Sequence, residues 1–369
     1  MILTCLFSPL IYFLIAIRKK KTISKILIIQ TAKIGDLICS TPVFREARKK
    51  YPDAHITVIA NPVTKELLEH NPNIDEIITV KNTGYRGLSG KLRLSNLIRR
   101  GKYDIGICLN PNIPFAIALF WGLVPIRLSV MPDISGITFK LASVFFTYLE
   151  KHRRGRMAIE TYLKMLKAIG IESSNITKEA YKSEDADTKV EQILENIDKP
   201  LIGIAVSSGN KLKELGAEKI IKLIDMLLED IDVYVVLIGS NQDKNTADII
   251  SNSVIQKNRI VNVTDKLSLS ELPALIEMLS LFIGVDTGIT YMADALSIPL
   301  INIAGPANMN DQRPTGKCAI IIHKQLPCVP CSHAFRSPYN CRLNSRECIE
   351  SQSIKEIYQA VKIFFSIGC

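Results

Sequence analysis

The sequence predicts an α/β protein made of two doubly wound, Rossmann-like halves in tandem. Two observations carry that prediction. Short apolar runs alternate with helical patterns along both halves, as a parallel sheet with crossover helices requires. The alternation is broken once, by a polar and partly acidic stretch over residues 172–199 with "KSEDADTK" in its middle, and then restarts. The length agrees, since 369 residues are enough for two domains of ordinary size. With 47% apolar and 22% charged residues, the chain has the composition of a folded globular protein.

In the first half, residues 25–29, 55–60, 77–80, 104–108 and 126–130 read as strands. Helical patterns lie between them at Pro42–Lys50, Val63–Glu69 and Lys91–Arg100, and a longer one at Arg156–Ile169 closes the half. In that last helix Ala158, Tyr162, Met165, Leu166 and Ile169 fall on one face. In the second half Leu201–Val206, Val233–Ile238, Arg259–Val263, Leu281–Val285 and Pro299–Ile303 read as strands. The helices expected among them are Glu218–Leu228, Asp243–Ser251, Leu269–Leu279 and Ile289–Leu296. The domain boundaries expected from this pattern are 22–180 and 200–350, with a linker at 181–199 and a C-terminal helix at 351–369. Two such domains in tandem predict a ligand cleft where the carboxyl ends of their strands face each other.

Residues 1–21 stand apart. Met1–Ile17 carries no charged side chain and is followed by Arg18-Lys-Lys-Lys21. A cleavable signal peptide has the reverse order, with its positive charges first. The segment is therefore expected to hold the protein at a membrane, spanning or lying in it, with the basic cluster on the cytoplasmic side; the alternative is a buried N-terminal helix. Its length is at the lower limit for a span, and Pro9 weakens a regular helix. The formal charge of +10 suits nucleic acid, an anionic membrane or a phosphorylated substrate. Aromatics are only 7%, and no platform of interleaved arginine and aromatic residues is visible, which argues against nucleic acid.

Four stretches follow strand ends and carry the chemistry. "QTAKIGD" ends on Asp36 and has a single glycine, so it is neither a dinucleotide fingerprint nor a P-loop. Asp36 could cap the next helix, or take a proton from something bound above the sheet. That helix either starts at Asp36 and bends near Pro42, or restarts at Thr41-Pro42. "AVSSGNKLKELG" offers Ser207 and Ser208 as phosphate donors, with Lys211 and Lys213 to offset charge, unless the lysines are solvated surface residues. "IGVDTGITYMADAL" places Asp286, Thr287 and Gly288 in a tight turn before a helix whose amides could hold an anion. "NIAGPANMNDQRPTG" is a polar loop that either binds or merely connects.

Taken together, "ILIIQTAKIGDLICSTPVFREARKKYPDAHITVI", "VDTGITYMADAL", "INIAGPAN" and the late "CVPC" stretch resemble glycosyltransferase family 9, the ADP-heptose:lipopolysaccharide heptosyltransferases. The resemblance implies a GT-B fold and inverting transfer from a nucleotide-diphospho-sugar, an ADP-heptose-like donor, held by the second domain. It implies a glycolipid acceptor resembling the lipid A core and a place at the cytoplasmic face of the inner membrane. It puts Asp36 at the position of the family's general base and Lys213 where a lysine faces the donor phosphates. Ser208 falls at a phosphate-contacting hydroxyl, and Asp243 where a carboxylate grips the ribose. Asp286, Thr287 and Gly288 match the donor-binding turn. The family often has His where this chain has Tyr291, and Trp where it reads "KELG", so the transferred sugar is read as heptose or a related sugar. Two other readings are a sugar-nucleotide epimerase of similar layout and an inactive sugar-nucleotide-binding protein.

No cofactor or catalytic metal is expected. Of the Asp-x-Asp pairs, Asp185 and Asp187 lie in the expected linker, and Asp230 and Asp232 precede a strand, at the wrong end of the sheet. Among the nine cysteines, Cys328, Cys331, Cys341 and Cys348 cluster. Their spacing fits either a structural metal or free thiols. The others, Cys318 included, read as small apolar filler.

Overall fold

The computed structural model describes residues 2–18, 22–81 and 83–367. Lys19, Lys20 and Lys21 of the basic cluster lie outside the described residues, as does the end of the expected C-terminal helix. The chain divides into two compact units, Met1–Ile176 and Thr177–Cys369.

The first unit runs α1 (Ile2–Arg18), β1 (Lys25–Gln30), α2 (Ile34–Ile38), α3 (Thr41–Lys50), β2 (His55–Ala60), β3 (Glu76–Thr79), α4 (Gly87–Gly101), β4 (Ile105–Cys108), α5 (Ile113–Trp121), β5 (Ile126–Met131), α6 (Ile137–Ala142), β6 (Tyr148–Lys151) and α7 (Ala158–Leu166). Its sheet is parallel, in the order β3-β2-β1-β4-β5-β6. Ile26–Ile29 of β1 are wholly buried, as expected for a central strand covered by helices on both faces.

The second unit runs α8 (Ala186–Ile193), β7 (Leu201–Ala205), α9 (Ala217–Asp230), β8 (Tyr234–Ile238), α10 (Lys244–Ser253), β9 (Ile260–Asn262), α11 (Leu272–Glu277), β10 (Leu281–Val285), α12 (Gly288–Ala295), β11 (Leu300–Ala304), β12 (Ala319–His323), α13 (Glu347–Glu350) and α14 (Ile354–Ile367). Its sheet is also parallel, in the order β12-β11-β10-β7-β8-β9. In each sheet the first strand goes one way to its second and third strands, and the later strands fill in on the other side. The order therefore reverses between β1 and β4, and again between β7 and β10. Ligands of doubly wound sheets bind at such a switch point, beyond the carboxyl ends of the strands.

Several elements differ from expectation. Val63–Glu69 is not a helix. A 3-10 turn at Pro62–Thr64 takes its place, because the Asn61 side chain accepts from the Val63 amide and closes the turn. The acidic stretch read as a linker contains α8. Ala186 and Val190 are buried there, the Ser183 amide bonds the Ser270 carbonyl, and Lys189 pairs with Glu271 at 2.8 Å. Charged side chains on its outer face masked the short amphipathic pattern. α5 has no counterpart among the expected helices, because an apolar helix buried nearly all round has little periodicity to read. Cys318 is disulfide-bonded rather than filler.

Candidate active site

The loop after β1 is held by one side chain. Gln30, buried at the strand end, donates to Ser40 Oγ at 2.7 Å and accepts from the Ala32 amide at 3.3 Å. Ser40 Oγ in turn donates to the Asp36 carbonyl at 2.6 Å. The helix stops at Ile38 and restarts at Thr41 with Pro42 in its first turn, as a residue lacking an amide hydrogen permits. Lys33, not Asp36, is the N-cap of α2, and Asp36 lies within the first turn. The Asp36 carboxylate sits half-buried at the switch point of the first sheet, close enough to Tyr162 for its charge to act on that phenol. Burial first and the Asp36 charge second hold the Tyr162 hydroxyl well above its ordinary pKa. Burial pushes the nearby Cys108 thiol up to about 12. Neither group can serve as a base at neutral pH, whereas a carboxylate can.

The second unit gathers its polar groups at the ends of β7 and β10, on either side of its own switch point. Asn210 caps a 3-10 turn at Lys211–Lys213 by accepting from the Leu212 amide at 3.1 Å. About 120° separates successive residues of such a turn, so its two lysines point to different sides. Lys211 is 82% exposed and pairs with Glu214, whereas Lys213 is turned inward onto Asp286. The Asp286 carboxylate is buried and takes two donors, Lys213 Nζ on Oδ2 and the Tyr291 hydroxyl on Oδ1 at 2.6 Å. Thr287 is the N-cap of α12 and Gly288 its first residue, both half-buried. Ser208 is buried in the same loop as Lys213 and takes the Asn210 amide on its hydroxyl.

Asp243 is committed locally. Its Oδ2 takes the Ser240 amide at 2.8 Å and hydroxyl at 2.7 Å, and its Oδ1 takes the Ser207 hydroxyl. Burial alone would raise this acid, but the bonds from Ser207 and Ser240 hold it below the ordinary aspartate range. Gly239, at the end of β8, lets the loop close: a Cβ there would lie 2.8 Å from Val206 and 3.0 Å from Asp243.

Other partners were not visible in the sequence. The loop after β11 is pinned to α12 by the Thr315 and Gly316 amides on Asp294 Oδ1, and the buried Lys178, paired with Asp294 Oδ2 at 2.7 Å, donates to the Arg313 carbonyl and the Thr315 hydroxyl of the same loop. That loop brings the Gln312 carbonyl to the Tyr291 hydroxyl, and sets Asp311 Oδ2 2.9 Å from His333 Nδ1. The four late cysteines have free thiols whose charges influence one another. Burial first, then the neighbouring thiols, pushes Cys331 and Cys348 up, while backbone amides led by that of Arg346 lower Cys341. No group of three or more His, Cys, Asp or Glu among the described residues is arranged to hold a metal ion.

The sequence profile of glycosyltransferase family 9 (heptosyltransferase) matches residues 91–340, which is more than half of the chain and holds the second-unit site but not Asp36. An Escherichia coli lipopolysaccharide heptosyltransferase 3 is 26% identical over 291 residues, covering 76% of this chain and 83% of that protein. The solved E. coli ADP-heptose lipopolysaccharide heptosyltransferase II superposes with a TM-score of 0.74 at 17% identity, over 93% of this chain and 98% of the other. A family 9 glycosyltransferase from Veillonella parvula superposes with a TM-score of 0.75 at 22% identity, over 94% and 99%. These likenesses identify the fold as GT-B, with two Rossmann-like domains.

Proposed function

The chain belongs to glycosyltransferase family 9, the heptosyltransferases, and from that premise we propose that it transfers heptose, or a related sugar, with inversion from an ADP-sugar to a lipopolysaccharide core or similar glycolipid. The observation that carries the reading is the Lys213–Asp286–Tyr291 assembly at the switch point of the second sheet, with the α12 N-terminus beside it.

The chemistry needs two things. The leaving ADP gains negative charge, and the attacking hydroxyl must lose its proton. Lys213, the Ser208 hydroxyl and the amides at Thr287 and Gly288 are donors of the kind a diphosphate requires. Asp286 presents Lys213 in one orientation, and releases the ammonium to a phosphate when donor arrives. Asp243 would meet the ribose by exchanging its serine partners for hydroxyls. In the first unit, Asp36 takes the acceptor proton as the hydroxyl attacks the anomeric carbon from the side opposite the diphosphate. A carboxylate is a weak base, but proton transfer late in the displacement suits it, because the attacking oxygen has become acidic by then. The charge on the leaving group is met by Lys213 and backbone dipoles. A solved relative carries ADP-heptose and lipopolysaccharide in its name, which supports the donor and acceptor classes. The apolar residues 1–17 support a place at the cytoplasmic face of the inner membrane, where such an acceptor would be met.

The test is direct. The protein is incubated with ADP-heptose and with other radiolabelled sugar nucleotides, each with deacylated core glycolipid. Label should enter the glycolipid from the ADP-sugar with inverted anomeric configuration. Transfer from a uridine nucleotide in preference, or release of an epimerised free donor, would overturn the reading.

A further inference from the structure

α1 has its polarity the wrong way round for a helix that faces water. Thr4, Ser8, Ile11, Ile15 and Arg18, spaced four and three residues apart, form the side turned to the protein. Ile11 and Ile15 are buried with Ile117, Phe120 and Phe145. Trp121 Nε1 donates to Thr4 Oγ1 at 3.2 Å, and Arg18 donates to the Gly122 and Leu123 carbonyls at 3.3 and 3.2 Å. The helix thus spends its threonine and its arginine on the protein. The opposite side presents Leu6 (71% exposed), Leu10, Phe13 and Ile17 (68% exposed), with Phe7, Leu14 and Tyr12 partly exposed on its flanks, where the rings of Phe7 and Tyr12 meet Trp121 and Phe120 of α5. Surface helices of water-soluble domains show the reverse pattern.

The apolar side continues past α1. The 3-10 turn Ser143–Phe145 buries Phe145 in the same cluster as Ile11 and Ile15, while its Val144 is exposed. α6, just before it, exposes Ile137 (76%) and Leu141. Cations flank these residues. Lys140 is exposed on α6, and Arg99 is exposed and lies near enough to Arg18 for the two charges to interact. In sequence Arg18 is followed by three lysines, and α1 itself has no acidic residue. No helix among the described residues is long and apolar enough to cross a membrane.

From this we propose that α1 lies in the plane of an anionic lipid bilayer, its outer side and the α6 edge sunk among the acyl chains, with its inner side still bound to α5. The proposal deepens the membrane-surface reading above and rests on it. It excludes a spanning helix, because crossing the bilayer would strip Arg18 and Thr4 from their partners and carry an arginine and a threonine with them. A patch of this size rimmed by cations has the chemistry of an interfacial helix, in which buried apolar area supplies the hold and basic residues select anionic headgroups.

The chain's single tryptophan reports the geometry. Trp121 lies 6.3 Å from Phe7, ring centre to ring centre. The full-length protein, brought out of detergent, should float with vesicles of phosphatidylcholine and phosphatidylglycerol, and less with phosphatidylcholine alone. Lipids brominated near the headgroup should quench Trp121 more than lipids brominated near the methyl end. Leu6→Glu/Leu10→Glu/Phe13→Glu should lower vesicle partitioning by about 100-fold or more, and Ile137→Glu/Val144→Glu by about tenfold. Both variants should keep the parent's thermal unfolding and its transfer to a water-soluble acceptor. Vesicle binding without quenching of Trp121 would mean that α1 leaves α5 to span, and would sink the proposal. So would unchanged binding by the triple variant, no vesicle binding at low salt, or a dimer in solution that the triple variant dissolves. Loss of transfer to the soluble acceptor with vesicle binding intact would instead count against the transferase reading alone.

Discussion

Asp36 and Asp286 occupy the same local setting in different halves of the molecule. Each follows the strand at its sheet's switch point, and each lies at the start of a helix. Their surroundings differ. Asp286 is buried and bonded on one oxygen by Lys213 and on the other by Tyr291. Asp36 is half-buried, has its main-chain carbonyl held by Ser40, and bears on the neutral phenol of Tyr162. One carboxylate is built to hold a cation in place. The other lies beside a buried phenol that its charge helps keep protonated. An acid at a strand end is therefore not a role in itself, and the groups that reach its oxygens decide what it does.

The largest effect that would test this contrast is at Asp36. Asp36→Asn should lower kcat by about 10²–10⁴-fold, the range for removing a general base. Donor affinity by calorimetry and the circular dichroism melt should stay near the parent's. Turnover within a few-fold of the parent would remove Asp36 from the base position and dissolve the comparison.

Lys213 comes next. Lys213→Ala removes a charged partner and strands a buried carboxylate, so kcat/KM should fall by roughly 10–150-fold, or about 1.5–3 kcal/mol. Lys211→Ala should change little, because its side chain is 82% exposed. Steady-state kinetics of the pair separates a structured lysine from a solvated one. Equal losses in the two variants would mean that the 3-10 turn does not sort them.

Tyr291→Phe removes only one neutral donor from Asp286. The expected change is about 0.5–1.5 kcal/mol, two- to tenfold in donor KM, with kcat little affected. A large fall in kcat instead would place the hydroxyl in the chemistry and bring Asp286 nearer to Asp36 in kind.

The smallest effect is on stability. Ser207→Ala takes one bond from Asp243 and should cost about 1 kcal/mol at neutral pH, measured by urea unfolding. The folded-state pKa of Asp243 is depressed, so its contribution is present above the unfolded value and is lost as pH falls through the folded one. The gap between parent and variant should therefore close below about pH 4. A gap that persisted there would show that the serine stabilises through packing rather than through the carboxylate.

Part of the candidate site is legible in the sequence because it is local. Asp36 follows Gly35, Ser208 lies between Ser207 and Gly209, and Asp286 lies two residues from Gly284 and from Gly288, all in stretches that follow strands, and that pattern needs no knowledge of the rest of the chain. Their partners were not legible. Tyr291 stands out in the sequence as a departure from the family, with nothing to mark it as a donor to Asp286. The meeting of Asp311 with His333 depends on a loop pinned by Lys178 and Asp294, which are more than a hundred residues apart. Which lysine points inward could not be read either, because either helical turn puts residues two apart on different sides, and only the packing of the turn decides which side faces the sheet.

The sequence by itself determined the alternation of strands and helices, the two-part organisation, the acids and lysines at the strand ends, and an apolar segment ahead of the first strand. All of these follow from periodicity and turn chemistry, which act over a few residues. Only the tertiary structure decided that the order of each sheet reverses beside those acids, that α8 folds into the second unit, that Lys213 rather than Lys211 meets Asp286, and that α1 turns Thr4 and Arg18 inward onto α5 and the turn after it. Those outcomes depend on which distant surfaces fit together. Packing and charge pairing over long separations are properties of the whole fold, and no window of sequence contains them.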